Sequence, residues 1–583
     1  MSVDLNAGRQ ASEHDEIVVD WDVQVPTRDG LELRADVFRP REVGDYPVIL
    51  AMGPYGKGLN FEEGFPANWR RMIEAYPEVA EDTSNRFQNW EMVDPEKWVP
   101  DGYVCVRVDS RGAGRSRGLL DVFSQLEARD YYDCIEWAGV QPWSNGRVGL
   151  LGISYYATNQ WHVAALQPPH LSAICVWEGF ADYYRDAARH GGILSGFLEG
   201  WFNRQVARVQ HGVADRGFRD PNTGYAVAGD EQLSERALRE NRVDPGEHAR
   251  DRRLDGAYYA ERTPDLSRIN VPLFSAGNWG GMGLHTRGNI EGFLAVGSQE
   301  KWLEMHGDTH FSPFYTDRGV SLQKQFFGTF LKDEDNGWRE RPAVELLIRH
   351  PGERFVSRFE ASWPLPDTNW TRFYLDPHTM SLAREPRPGA PLEYQTMGAG
   401  LRFSLPVVDH DREFTGHSAV RMRVSSQTSD ADIFVALQLF DPDGEEVTFI
   451  GSNDPKVPVG LGWLRASHRA LDTERSTFYR PYHTHSDPQP LEPGVPVDVD
   501  VEIWPTCIVV PAGYRLELAI RGCDYKNSGS SLDDAMYEMR GVGPFVHVDE
   551  TDRPASVFDT VATLHFDEDE PPYLLLPEID TGR

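Results

Sequence analysis

The chain has 583 residues, 40% of them hydrophobic, and carries a formal net charge of -33. That length exceeds what a single hydrophobic core organises, so two or three domains are expected. The acidic balance argues against nucleic acid or an anionic membrane surface as partner, and no apolar run approaches the ~18 residues of a membrane-spanning helix.

Residues 1–18 read as a flexible tail without the basic-then-apolar leader of an exported chain, which points to a soluble, cytoplasmic protein. Val19–Pro26 and Leu31–Phe38 alternate as strands around the turn Thr27-Arg28-Asp29-Gly30, predicting a hairpin. Pro47–Met52 is a continuous apolar run of strand length. It ends in a loop of turn formers, Gly53-Pro54-Tyr55-Gly56-Lys57-Gly58. Tyr103–Val108 is a second such run, separated from the first by an insertion containing Trp69, Phe87 and Trp90. Glu127–Trp137 carries apolar residues at helical spacing. A third run, Gly146–Ile153, then passes through Ser154 into a helical segment, Thr158–Leu166. Strand, helix, strand, sharp turn and helix imply parallel strands with crossover helices, an α/β core.

Leu171–Trp177 is a fourth strand, ending in Glu178-Gly179. From Phe180 the strand–helix rhythm is lost, and 180–264 reads as a helical cap inserted between core strands. The core resumes with Ile269–Gly277, a helix near Arg287–Val296, the short strand Lys301–His306, the loop Gly307-Asp308-Thr309-His310 and a terminal helix, Leu322–Leu331. Asp333–Gly337 marks a boundary, beyond which short alternating segments predict a β-sandwich. The expected organisation is a core in two parts, 19–179 and 265–335, a cap at 180–264 and a sandwich at 341–583. The five cysteines, Cys105, Cys134, Cys175, Cys507 and Cys523, lack metal spacing and suggest no disulfide framework.

A strand that ends in G-x-S and turns at once into a helix thrusts the serine hydroxyl outward, which makes Ser154 the candidate nucleophile. The alternative is an ordinary serine in a strand-to-helix turn, since Tyr156 breaks the general G-x-S-x-G pattern. A serine hydroxyl needs a base and a group that orients the base. His310, in the loop after the last core strand, is the candidate base, with His306 and His285 as competitors. The loop Gly277–His285, the usual place for the acid, contains no carboxylate. Glu178, at the carboxyl end of a neighbouring strand, is the substitute, with Asp308 and Asp182 as rivals; it could instead fix the cap against the core. The Tyr155 amide and the Tyr55 phenol are the candidate oxyanion donors, although Tyr55 could simply pack beside Pro54. Arg111–Ser116 is not a phosphate loop, because it lacks the Lys-Ser/Thr ending.

The sequence resembles the cocaine-esterase and X-prolyl dipeptidyl-peptidase family (CocE/NonD, peptidase S15-like), which also includes glutaryl acylases and α-amino-acid ester hydrolases. The resemblance runs through Thr27–Gly30, Leu33–Val37, Arg111–Ser116, Asp130–Trp137 and, most specifically, Gln141–Gly149 leading into Gly152-Ile153-Ser154-Tyr155. In the second half it continues through Asp430–Val435, Gly444, Leu464–Arg469 and Pro511–Leu516. It implies an α/β-hydrolase core with an inserted helical cap and a C-terminal jelly-roll. It also implies a serine hydrolase acting on a small ester or amide, with Ser154 as nucleophile, His310 as base, and Tyr55 beside the Tyr155 amide at the oxyanion. No metal or organic cofactor is implied, and several members are oligomers, which leaves a homo-oligomer open. Two positions depart from the family pattern: Ala157 replaces the last glycine of G-x-S-Y-x-G, and Gly280 stands where the family places its acid in a G-W-Y-D-like loop. Either Glu178 has taken over or the triad is incomplete. Loss of an orienting Asp costs about 10⁴ in turnover, so relocation is the expectation. Two further readings stay open: an X-prolyl dipeptidyl-peptidase, in which Glu178 anchors the substrate amine, and a catalytically weak binding protein that uses the sandwich.

Overall fold

The computed structural model describes residues 17–527 and 539–580. The first sixteen residues of the expected tail lie outside the described residues, while Ile17 and Val18 already belong to the first strand.

Strands β1 (Ile17–Pro26) and β2 (Glu32–Pro40) form the expected antiparallel hairpin, with the register shifting between Asp20 and Val23. β3 (Tyr46–Gly53), β4 (Val104–Asp109), β5 (Ser144–Ile153), β6 (Leu171–Trp177), β7 (Leu273–Asn278) and β8 (Lys301–His306) are the parallel heart of a sheet ordered β1-β2-β4-β3-β5-β6-β7-β8. They are buried on both faces, as their unbroken apolar runs require. The sheet does not end at β8. Val344–His350 (β9) adds in parallel, with Leu303 opposite Val344, and Arg354–Glu360 (β10) closes the edge antiparallel. The sequence gives no cue for this crossing of the expected boundary at 341. Val344, Leu346 and Ile348 are buried with Trp279, Ile290 and Leu303 in one cluster, which favours pairing on the β8 edge.

Helices cover both faces. α1 (Gln125–Gly139) begins at Ser124, whose hydroxyl accepts from the Glu127 amide, and α2 (Tyr155–Ala164) follows β5 directly. They bury Tyr131, Cys134, Ile135, Ala157 and Trp161 against Val48, Leu50, Val106 and Val148. α3 (Thr286–Ala295) connects β7 to β8. α4 (Asp317–Leu331) buries Phe326, Phe327 and Leu331 on the opposite face. Burial of each such side chain is worth about 1.5–3 kcal/mol.

The inserted stretch is built of short helical segments, among them Tyr183–Ala188, Phe197–Trp201, Phe202–Val206, Glu235–Glu240, Pro245–Asp251 and Ala257–Ala260, with a small hairpin of Arg189–His190 against Ile193–Leu194. It is tied to the second β domain by the buried ion pair of Arg189 with Asp552, 2.7 Å. In that domain Tyr573–Ile579 pairs with both Asn369–Asp376 and the long strand Arg412–Ser426, so the path of strands closes on itself. The architecture is thus an α/β core followed by a closed β-sandwich. Cys105, Cys134, Cys175 and Cys507 are buried and, like Cys523, free. Among the described residues no helix is long and apolar enough to cross a membrane.

Candidate active site

Ser154 stands at the break between β5 and α2 with φ 57° and ψ -109°, a left-handed conformation that a non-glycine residue holds only when its surroundings enforce it. Its amide donates to the Trp177 carbonyl (3.1 Å) and its carbonyl accepts from the Thr158 amide (2.7 Å), so both sides of the bend are pinned. A side chain at Gly152 would put its Cβ 2.4 Å from the Tyr156 Cβ, which is why that position is glycine. The departure at Ala157 has a local answer. A Cβ on Gly179 would lie 3.0 Å from the Ala157 Cβ, so the missing glycine of the elbow is matched by a glycine on the facing strand end.

The Ser154 hydroxyl does not cap its own helix; its hydrogen-bond partner is His285 Nε2 at 3.3 Å. The loop after β7 turns back sharply, with the His285 amide bonded to the Gly281 carbonyl, and so delivers this ring to the elbow. The His310 ring lies parallel to it, with centroids 4.9 Å apart. His310 Nδ1 donates to Glu178 Oε2 at 2.8 Å, and Nε2 donates to Glu91 Oε1 at 3.1 Å. His285 Nδ1 is 3.7 Å from the same Glu178 oxygen. Glu178 is fully buried at φ 51°, a second strained position one residue past β6. It also accepts from His306 Nε2 (3.3 Å) and Asn278 Nδ2 (3.2 Å). The structure thus joins Glu178 to His310 but sets His285, a competitor in the sequence, against Ser154. The rival carboxylates are engaged elsewhere: Asp308 accepts from the Tyr76 hydroxyl, and Asp182 holds Arg185. Glu91 has no sequence signal at all. It lies in the aromatic insertion at φ 61°, its carbonyl bonded to the Ile153 amide and its carboxylate brought in beside Trp90.

The two rings differ in charge. Burial opposes a proton on His310, but Glu178 and then Glu91 outweigh it and raise its pKa to about 10. Burial and the positive His310 ring push His285 down to about 3 against the pull of Glu178, leaving it neutral and able to accept at Nε2. Burial would raise the Glu178 carboxyl, but His310 and His306 hold it well below the usual carboxylate range. Burial raises Glu91, only partly offset by His310. His306, bonded through Nδ1 to Glu304, is lifted to about 9 because its two carboxylate neighbours outweigh its burial.

Gly280 is packed against the sandwich. A Cβ there would lie 2.5 Å from the Gly451 Cα. The adjacent Ser452 donates its hydroxyl to Glu178 Oε2 (2.8 Å) and its amide to the Gly280 carbonyl (3.1 Å), while its own carbonyl accepts from the His310 amide (3.0 Å).

Tyr55 is buried edge-on to Tyr155 and Tyr156, and its hydroxyl accepts from Trp201 Nε1 in the inserted stretch at 2.8 Å. The Tyr155 amide belongs to the first turn of α2, where N–H groups have no intrahelical acceptor. The Tyr155 hydroxyl donates to buried Glu127 at 2.6 Å, fixing that turn from the far side. Among the described residues, Glu178, His285 and His310 bring three potential metal-ligand atoms within 4.8 Å of one another. The rings are parallel and stacked, so one ion cannot lie in both ring planes, and the shared carboxylate oxygen already accepts from His310 and Ser452.

The family model for X-Pro dipeptidyl-peptidase (S15 family) matches residues 29–312, and that for the X-Pro dipeptidyl-peptidase C-terminal non-catalytic domain matches 336–575. A solved CocE/NonD family hydrolase from Staphylococcus aureus superposes with a TM-score of 0.82 at 30% identity, over 97% of this chain and 94% of that one. Cocaine esterase of a Rhodococcus species is 25% identical over 86% of this chain and 90% of its own length. An α-amino acid ester hydrolase shares the fold, at a TM-score of 0.69 and 16% identity over 99% of both chains.

Proposed function

Because the chain belongs to the CocE/NonD family of serine hydrolases, acting through an acyl-enzyme on a small ester or amide, we propose that Ser154 is its nucleophile and His285 the group that takes the serine proton. The observation that carries this reading is the 3.3 Å contact between Ser154 Oγ and His285 Nε2. As Oγ attacks the substrate carbonyl, its proton passes to Nε2. The oxyanion is held by the Tyr155 amide and the Tyr55 phenol. His285 returns the proton to the leaving alcohol or amine, then activates the water that releases the acid. Glu178 offsets the charge that forms on His285.

A second reading keeps His310 as the base. It is favoured by the complete histidine–carboxylate hydrogen bond with Glu178 at 2.8 Å, the pairing a triad requires. The inserted segment over Tyr55 supports small acyl or aminoacyl substrates for either base.

A fluorophosphonate probe, with short p-nitrophenyl esters, aminoacyl amides and Xaa-Pro anilides as substrates, tests the proposal. Labelling and turnover that vanish in Ser154→Ala are expected, with the Xaa-Pro anilides reporting any dipeptidyl-peptidase activity. Full labelling of that variant overturns the assignment of the nucleophile.

A further inference from the structure

The β-sandwich stands outside the chemistry drawn above, yet one of its loops enters the acid–base network. Ser452 is 4% exposed and lies far along the chain from every catalytic candidate. Its backbone links the two loops that carry the histidines, giving its amide to Gly280 and taking the amide of His310. Its hydroxyl reaches the Glu178 oxygen that His310 also uses. The approach is close because both sides are glycine. A Cβ on Gly280 would meet the Gly451 Cα at 2.5 Å, and one on Gly451 would meet the Gly280 carbonyl at 2.8 Å.

We propose that Ser452 is a positioning residue for the hydrolytic reaction: the sandwich supplies the hydroxyl that fixes the Glu178 carboxylate between His285 and His310. The inference rests on the assignment of Glu178 as the acid. A buried carboxylate at the end of a strand has rotational freedom about its last bonds. With His306 and Asn278 donating to one oxygen and His310 and Ser452 to the other, each oxygen has two donors and the plane of the group is set. Removing Ser452 leaves the second oxygen with His310 alone. The carboxylate can then turn toward that ring and away from His285 Nδ1, 3.7 Å off. The loop that brings Ser452 in also occupies the space an aspartate at 280 would need.

The experiment uses the full chain and four proteins: the parent, Ser452→Ala, Glu178→Gln and the double variant. Alanine keeps the backbone bonds to Gly280 and His310 and deletes only the hydroxyl. Loss of a hydrogen bond to a charged group predicts that kcat of Ser452→Ala falls roughly ten- to a hundredfold, with KM changed by less than about twofold. Because Ser452 acts through Glu178, it should cost less than about twofold more in the Glu178→Gln background. Near-parental kcat in Ser452→Ala, or additive losses in the double variant, would overturn the proposal. A merely structural role would instead move KM, or lower the melting temperature in step with activity in both backgrounds. If Glu178→Gln itself turns over normally while Ser154→Ala is dead, the acid assignment fails and the nucleophile stands. If Ser154→Ala remains active, the reading of the whole site fails.

Discussion

His285 and His310 lie with their rings parallel, 4.9 Å between centroids and 4° between planes, yet the fold drives their proton affinities in opposite directions. One faces the serine and the other is held between two carboxylates; under the proposed reading the pair divides the work that a single imidazole does in a simple triad. The protonation state of each ring follows from which carboxylates reach it.

That division predicts the pH dependence. A base whose pKa lies at about 3 is already neutral in mildly acidic solution, so kcat/KM should be at its plateau by about pH 5 and stay flat through neutrality. If His310 were the base, activity would instead climb as the pH approaches about 10. A profile of kcat/KM for the free enzyme, with His285→Asn and His310→Asn beside it, separates the two. Under the first reading His285→Asn is the more damaging.

Glu178→Gln should lower turnover by about 10²- to 10⁴-fold, because an amide cannot carry the charge that offsets a protonated His285 and favours the wrong hydrogen-bond pattern on His310. Circular dichroism should show an unchanged fold. Turnover within a few-fold of the parent would remove Glu178 from the acid role.

Tyr55→Phe deletes the hydroxyl proposed as an oxyanion donor and leaves the aromatic packing against Tyr155 and Tyr156 in place. Its kcat should drop about 10²- to 10³-fold with KM little changed. A rise in KM at constant kcat would show that the phenol binds substrate and transition state equally.

Gly280→Ala places a methyl 2.5 Å from the Gly451 Cα and should destabilise the protein by about 1–3 kcal/mol, measured by denaturant unfolding. Gly280→Asp in a Glu178→Gln background should not restore activity, since the sandwich loop fills the space beside residue 280.

Stability should also follow the histidines. His306 and His310 bind protons more tightly folded than unfolded, at about 9 and about 10. Their contribution is complete below the unfolded value of ~6.5 and is lost as pH rises through those two values. Glu178 works the other way: its contribution is present above an unfolded value of ~4.3 and fades on acidification. Melting temperatures at constant ionic strength should therefore fall between neutrality and pH ~10, and less steeply in His310→Asn.

The α/β core with its following β domain was legible in the sequence, and so was the sharp bend at Ser154. Both are written in local patterns: buried strand runs bounded by turn formers, a G-x-S bend before a helix, and a change to short alternating strands in the second half of the chain. Glu178 was legible too, because a carboxylate at the carboxyl end of a core strand opens onto the same edge as the elbow. Tertiary structure alone decided the partners. Glu91 lies in an insertion with no periodic signal, and Ser452 comes from another domain. Neither has a spacing to the histidines that any local rule encodes. The choice between His285 and His310 depended on how two loops fold back, and the extension of the first sheet to Glu360 on which exposed edge was free to be paired. Local propensity acts over a few residues, whereas an active site is assembled from chain segments hundreds of residues apart, brought together by packing.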